Sequence, residues 1–319
     1  MDNRKTQANY YAKNSARNVV SHIRQWLYFS LYFGLPPLPA KEENLMAFSE
    51  LMSHSASYEH IRSVISSIEF LHKNLSLNFP VDSFQLMITF QSLKRKLAKA
   101  PNQAMPITPE HLVKMYEFVD VDKPQELAVW CAILVGFFGF LRKKSICPEN
   151  TLDIDPIQML TVRKVKLLPE QNVALLYVNF SKTIQIVQRD YAIPILGSQC
   201  RALDAVYHLG LLFRRTEAPL DYPAFTYRTP GGSFSFVTHK LFTDRLKSLL
   251  SKAGFSPEKF SGHSLRRGAA TFLFQCGASS LDIQVCGDWQ SQVFTRYLQI
   301  DLGRRIQSQL LMAVNLPRA

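Results

Sequence analysis

Six side chains suited to an anionic reaction centre occur in order along this chain of 319 residues. The densest group lies in GHSLRRGAATFLFQCGASSLDIQVCGDWQSQVFTRYLQID, where His263 and Arg266 stand three apart and share a face at a helix start. Trp289 follows a Gly-Asp turn, and Tyr297 lies eight residues further on in a helical stretch. Arg142 ends the apolar run WCAILVGFFGFLR, and Lys182 sits in the hairpin-like NFSKTIQIVQRD. Arginine keeps its charge, and its planar fork can hold two oxygens of one anion. The imidazole and the indole N–H add donors, and a phenol is a latent nucleophile with a pKa of about 10. Such a set would stabilise negative charge that grows on a substrate during attack. Taken singly, each residue has an ordinary reading: Tyr297 a half-buried helix tyrosine, Lys182 a solvated hairpin lysine, Trp289 a core anchor, His263 a capping or buried histidine, Arg142 a cation facing a helix C-terminus. Their order and spacing together are what call for chemistry.

Composition narrows the partner. Thirty-seven Lys and Arg against 25 Asp and Glu leave a net charge of +12, which favours an acidic partner, with nucleic acid or an anionic membrane surface leading. The length suggests two or three domains, and 47% hydrophobic residues suit packed cores without disulfide staples. No run of 18 apolar residues is present, so no membrane span is expected, and the polar start MDNRKTQANYYAKN does not read as a secretory signal. Five cysteines with no C-x-x-C pair argue against a disulfide framework or a structural zinc site. No Walker-type, H-E-x-x-H or EF-hand pattern occurs, so neither a cofactor nor a metal is expected.

The elements that must carry these residues follow from periodicity. Apolar spacing predicts helices over about 9–33, 41–52, 57–74 and 81–98. The proline-rich PNQAMPITPEH then reads as an interdomain linker, with the boundary near Pro101–Met105. Thr108 as N-cap and Pro109 at the first position open a new helix. Helices over about 109–119 and 124–141 precede three runs, MLTVRKVKLL, NVALLYVNFSK and RDYAIPI, that fit a small antiparallel sheet. Helical pattern returns near 201–213 and 240–253, fills 264–299 and ends in an amphipathic tail at 303–314.

The ordered set Arg142, Lys182, His263-Ser264-Leu265-Arg266, Gly287-Asp288-Trp289 and Tyr297 resembles the tyrosine recombinase (phage-integrase) family, and the resemblance covers essentially the whole chain. The short Trp-to-Tyr spacing is most similar to recombinases of eukaryotic mobile elements of the DIRS-like and Crypton groups. One position departs from the family pattern: Ser145 stands where an acidic residue usually follows the first arginine. The resemblance implies an α+β fold of the DNA breaking-rejoining type. An all-helical, SAM-like core-binding domain over 1–103 would precede a mostly helical catalytic domain with a small antiparallel sheet over 104–319. It implies double-stranded DNA as partner, a homo-tetramer on that DNA from a monomer or weak oligomer when free, and no membrane. Location would be nuclear for a eukaryotic element and cytoplasmic otherwise.

The implied roles are also those that elementary chemistry would assign. Arg142 and Arg266 would clamp the nonbridging oxygens of a phosphodiester, His263 would donate to the phosphate or take the nucleophile's proton, and Trp289 would add a donor. Lys182 would protonate the departing 5′-hydroxyl, and Tyr297 would attack to give a 3′-phosphotyrosine without metal or ATP. Residues 1–103 carry 12 basic against 7 acidic side chains. Arg17 and Arg24 there either face DNA or belong to a solvated helix face. Lys94, Arg95, Lys96 and Lys99 beside the linker fit backbone phosphate contacts, as do Arg267 and Arg296, for which plain surface charge is the equal alternative. The resemblance often places the C-terminal tail on a neighbouring protomer; packing within its own protomer is the equal alternative. Two other activities suit the same residues: relaxation of the type IB topoisomerase kind, and DNA binding by a recombinase derivative that has lost its chemistry.

Overall fold

A computed structural model describes residues 13–80, 82–98, 104–151, 154–157, 159–178, 191–289 and 295. The chain divides into two compact units, residues 1–102 and 103–319.

Among the described residues, four helices form the first unit: α1 (Lys13–Tyr32), α2 (Glu42–Ser53), α3 (Tyr58–Asn74) and α4 (Phe84–Lys96). Their apolar stripes meet around Trp26, Leu45, Ile61, Ile68 and Leu93, all essentially without solvent contact. The Trp26 indole donates to the Pro37 carbonyl at 2.9 Å, which fixes the chain after α1. Ser57 and Ser83 cap α3 and α4 by accepting backbone N–H groups of His60 and Leu86. The fourth helix is thus shorter than its periodicity predicts, because Ser83 starts it two residues after Val81. Buried His72 joins segments: Nδ1 bonds the Ile68 carbonyl at 2.8 Å and Nε2 accepts the Ala40 N–H at 2.7 Å.

The second unit is built on α6 (Pro124–Phe138), which follows α5 (Pro109–Tyr116). Thr108 caps α5 and Pro109 occupies its first turn, as the sequence suggests. From Leu127 to Phe137 every α6 residue is buried, so the helix is apolar all round and forms the centre of the core. Helix α7 (Lys143–Ile146) follows, then strands β1 (Val165–Leu168), β2 (Val173–Val178) and β3 (Tyr191–Leu196). These form one antiparallel sheet in the order β1-β2-β3, with Val165 opposite Leu176 and Ala174 opposite Ile195. Its core face carries Ala174, Leu176, Ile193 and Ile195. Helix α8 (Ala205–Thr216), the hairpin β4 (Thr226–Arg228) and β5 (Phe234–Phe236), then α9 (His239–Lys252), α10 (Ser264–Gln275) and α11 (Ser280–Cys286) complete the described unit.

Three expectations need correction. The helix starting at Pro124 stops at Phe138 rather than continuing to Leu141, because Phe140 takes a left-handed backbone, φ +50°. Arg142 therefore does not end that helix but precedes α7 as its N-cap residue. The first strand is only Val165–Leu168, since Val162–Lys164 closes a 3₁₀ turn. The β4–β5 hairpin has no counterpart in the sequence reading. Among the described residues no helix is long and apolar enough to cross a membrane.

Candidate active site

The cleft between the end of α6, strands β2 and β3, and the turn after α11 collects the arginines. Arg142, Ser145, Arg266 and Asp288 line it, with Val178 and Ile193 from the sheet, around a solvent-open space of about 350 Å³.

Arg142 reaches this wall because α6 is ended sharply. Gly139 and Phe140 donate to the carbonyls of Val135 and Phe137, and Leu141 donates to the Gly136 carbonyl at 3.2 Å. The left-handed Phe140 then turns the chain, buried Leu141 anchors it, and Arg142 follows half-buried. Its carbonyl accepts the Ser145 N–H at 2.8 Å, opening α7. Gly136 lets the layers close: a Cβ there would lie 2.8 Å from Ile146 and 3.1 Å from Leu265.

Arg266 stands on α10 and is only 4% exposed. Its Nη1 donates to the Phe140 carbonyl and its Nη2 to the Gly287 carbonyl, two backbone segments nearly 150 residues apart. Its guanidinium lies over the Trp289 ring, 4.2 Å from the centroid. Trp289 is itself buried, packs over Gly287 where a Cβ would fall 1.8 Å from the indole, and meets the Phe140 ring edge-to-face at 6.2 Å and 90°. One guanidinium thus joins the segments Phe140–Arg142, His263–Arg267 and Gly287–Trp289. Burying a cation this way requires such a ring of acceptors.

His263 precedes α10 and keeps much of its side chain in solvent. Its imidazole is nevertheless held below the ordinary value of 6.5, first by desolvation and then by the charges of Arg142, Arg266 and Lys143. His263 stands one turn before Arg266 at the start of α10. A neutral imidazole can accept a proton, which suits a base better than a fixed donor. The Lys143 stem packs at Gly262, and its Nζ donates to Thr243 Oγ1 at 3.4 Å.

The remaining expected residues are placed as follows. Arg267 donates to the Ala104 carbonyl at 2.9 Å, while the Ile107 N–H bonds the Ser264 carbonyl and Gly268 leaves room for the Ile107 backbone. Arg267 therefore helps lay the segment 104–107 along α10. Arg17 and Arg24 lie exposed on α1, two turns apart on one face. Lys94 and Arg95 are exposed in the last turn of α4, and Lys96 pairs with Glu50. Lys182, Tyr297, Lys99 and Arg296 lie outside the described residues, as does the tail at 303–314. Lys182 falls in the sequence between β2 and β3, whose ends Val178 and Tyr191 pair antiparallel. Sequence reasoning missed the carbonyls of Phe140 and Gly287 as site-building groups. No sequence signal marks a carbonyl, since every residue carries one.

With this geometry in view, solved structures supply the comparison. The Tn1549 transposon integrase in complex with circular intermediate DNA superposes with a TM-score of 0.61, at 14% identity over 97% of this chain and 96% of that one. The lambda integrase dimer bound to a COC′ core site gives 0.55, at 15% identity over 94% and 93%. The XerH site-specific recombinase in its post-cleavage complex with a palindromic difH substrate gives 0.55, at 13% over 86% and 70%. The fold is that of the tyrosine recombinases and integrases. No protein-family model matches the chain, and no curated protein matches it by sequence. In this integrase-type fold, the cleft holding Arg142 and Arg266 is where the described sequence motifs meet.

Proposed function

We propose that this chain is a site-specific DNA recombinase that cuts and rejoins double-stranded DNA through a 3′-phosphotyrosine. The supporting observation is the junction at Arg266, which gathers three motif segments from distant parts of the chain around one cleft that also holds Arg142. Two guanidiniums and a neutral imidazole would surround the scissile phosphate. The Tyr297 oxygen would attack phosphorus and lose its proton to His263, while the 5′-oxygen leaves and takes a proton from Lys182. Attack by a 5′-hydroxyl of the exchanging strand reverses both transfers. The ester conserves the bond energy, so no nucleotide is consumed.

The DNA in the compared integrase and recombinase structures agrees with the net charge of +12 in suggesting duplex DNA as partner. In this reading 1–103 is the core-binding domain and 104–319 the catalytic domain, and four protomers hold two duplexes. In this reading the Trp289-to-Tyr297 spacing, which resembles that of recombinases of eukaryotic mobile elements of the DIRS-like and Crypton groups, would make the protein nuclear, and an origin outside eukaryotes would make it cytoplasmic. A duplex nicked near the cleavage site tests the core of the proposal: wild type becomes covalently attached and Tyr297→Phe does not. Identical behaviour of the two sinks it. Two observations favour a binding-only reading: both Nη atoms of Arg266 already hold backbone carbonyls, and Ser145 lines the cleft at the position where the family pattern has an acidic residue. That reading predicts salt-sensitive duplex binding with no adduct from either protein.

A further inference from the structure

We infer that Phe140 is a positioning residue for the cleft, aligning Arg142, Arg266 and Trp289 through one strained turn and one aromatic edge. This rests on the recombinase reading for its catalytic consequence and on geometry alone for its structural one. Phe140 holds φ +50°, a region that L side chains with bulk at Cβ rarely adopt and that glycine enters without penalty. Glycine would be the easier residue for the turn. Strain of this kind persists where surrounding contacts over-determine the conformation.

Those contacts are on the page. The Phe140 carbonyl receives Arg266 Nη1, so the left-handed turn aims that oxygen at the buried guanidinium. The ring is 8% exposed and meets the Trp289 indole edge-to-face at 6.2 Å, an arrangement that the opposed quadrupoles favour. Trp289 in turn underlies Arg266. Two residues on, the same turn delivers Arg142 to the cleft. The backbone of Phe140 therefore serves the two arginines and its ring serves the tryptophan, so the strain is compensated by a triangle of contacts that a glycine would leave open on one side.

The two halves separate by substitution. Phe140→Gly keeps the left-handed turn and deletes the ring; Phe140→Tyr keeps an aromatic ring. The chain has three tryptophans, Trp26, Trp130 and Trp289, so 5-fluorotryptophan labelling of the full-length protein gives three ¹⁹F resonances, with Trp289 assigned by Trp289→Phe. Phe140→Gly should move the Trp289 resonance and leave those of Trp26 and Trp130 in place. In single-turnover covalent trapping on nicked duplex, Phe140→Gly should cleave about tenfold slower or worse while duplex affinity stays within about twofold, and Phe140→Tyr should recover the rate. An unmoved Trp289 resonance, or a Phe140→Gly rate equal to wild type, overturns the inference. If wild type itself forms no adduct, the recombinase reading fails, and the ¹⁹F result still decides whether Phe140 sets Trp289.

Discussion

The two units use positive charge in opposite ways. The helical unit leaves Arg17, Arg24, Lys94 and Arg95 in solvent, on helix faces that no core demands. The second unit sinks Arg266 to 4% exposure, hands both its Nη atoms to carbonyls and lays it on an indole. Exposed cations lose little on desolvation when a phosphate arrives and act mainly on affinity. A buried cation has already been stripped of water, so it shapes the protein first and can act strongly on a substrate charge brought beside it. The same residue type therefore has different tests in the two units.

The largest effect is expected at Arg266. Arg266→Ala leaves the Phe140 and Gly287 carbonyls without this donor and opens a void over Trp289. Two unsatisfied buried acceptors at about 1–3 kcal/mol each put the loss of folding stability at roughly 3 kcal/mol, readable in urea melts. Covalent trapping should vanish with it. Stability unchanged within error would show that the two bonds do not hold the segments together.

Arg142 should separate rate from stability. It lines the same cleft but remains half-buried at the start of a four-residue helix. Arg142→Ala is expected to slow cleavage by about 10²–10³-fold, the scale of losing one transition-state donor, with stability altered by about 1 kcal/mol or less. Single-turnover rates and melts on one preparation measure both. A stability loss as large as that of Arg266→Ala would erase the distinction between the two guanidiniums.

The difference between these arginines was not legible in the sequence, although their presence was. Periodicity carried the four N-terminal helices, Thr108–Pro109 carried the start of α5, and β-branched runs carried β1 to β3, because each depends on local pattern. The end of α6 was lost for a physical reason: FFGFL continues the apolar run, while the left-handed Phe140 makes its contacts with Arg266 and Trp289, residues far away in sequence. The β4–β5 hairpin was lost because strands of three residues fall below any periodic signal. Likewise, the pairing of Lys96 with Glu50 and of Arg267 with Ala104 joins positions that no spacing rule connects.

Acid should expose the contrast at intermediate size. His111, His208, His239 and His263 in the second unit are held below 6.5, in each case chiefly by desolvation, and His22 is the counterpart in the helical unit. A depressed folded-state value means that the unfolded chain binds more protons. The associated stability is therefore present above about pH 6.5 and is lost as pH falls through the folded values. Melting temperature should drop between about pH 6.5 and 5. His208→Gln should flatten that drop, since His208 is fully buried with Nε2 on the Arg201 carbonyl at 2.9 Å. A melting temperature that rises on acidification would contradict the sign.

The smallest effects belong to the exposed cations, and among them pairing sets the order. Lys94 ends α4 in solvent, whereas neighbouring Lys96 already faces Glu50. If both touch DNA phosphate, Lys94→Ala should lower the slope of log affinity against log salt by about 1, with stability nearly unchanged. Lys96→Ala should lower it by less, because moving Lys96 to a phosphate first requires leaving Glu50 and exposes that carboxylate to the DNA. Glu50→Gln should then raise duplex affinity, since it frees Lys96 and removes a repelling charge. Salt titrations of duplex binding with the three variants measure the order directly. Equal slopes for Lys94→Ala, Lys96→Ala and wild type would take the end of α4 off the DNA surface and turn the test to Lys99 and to Arg17 and Arg24 on α1.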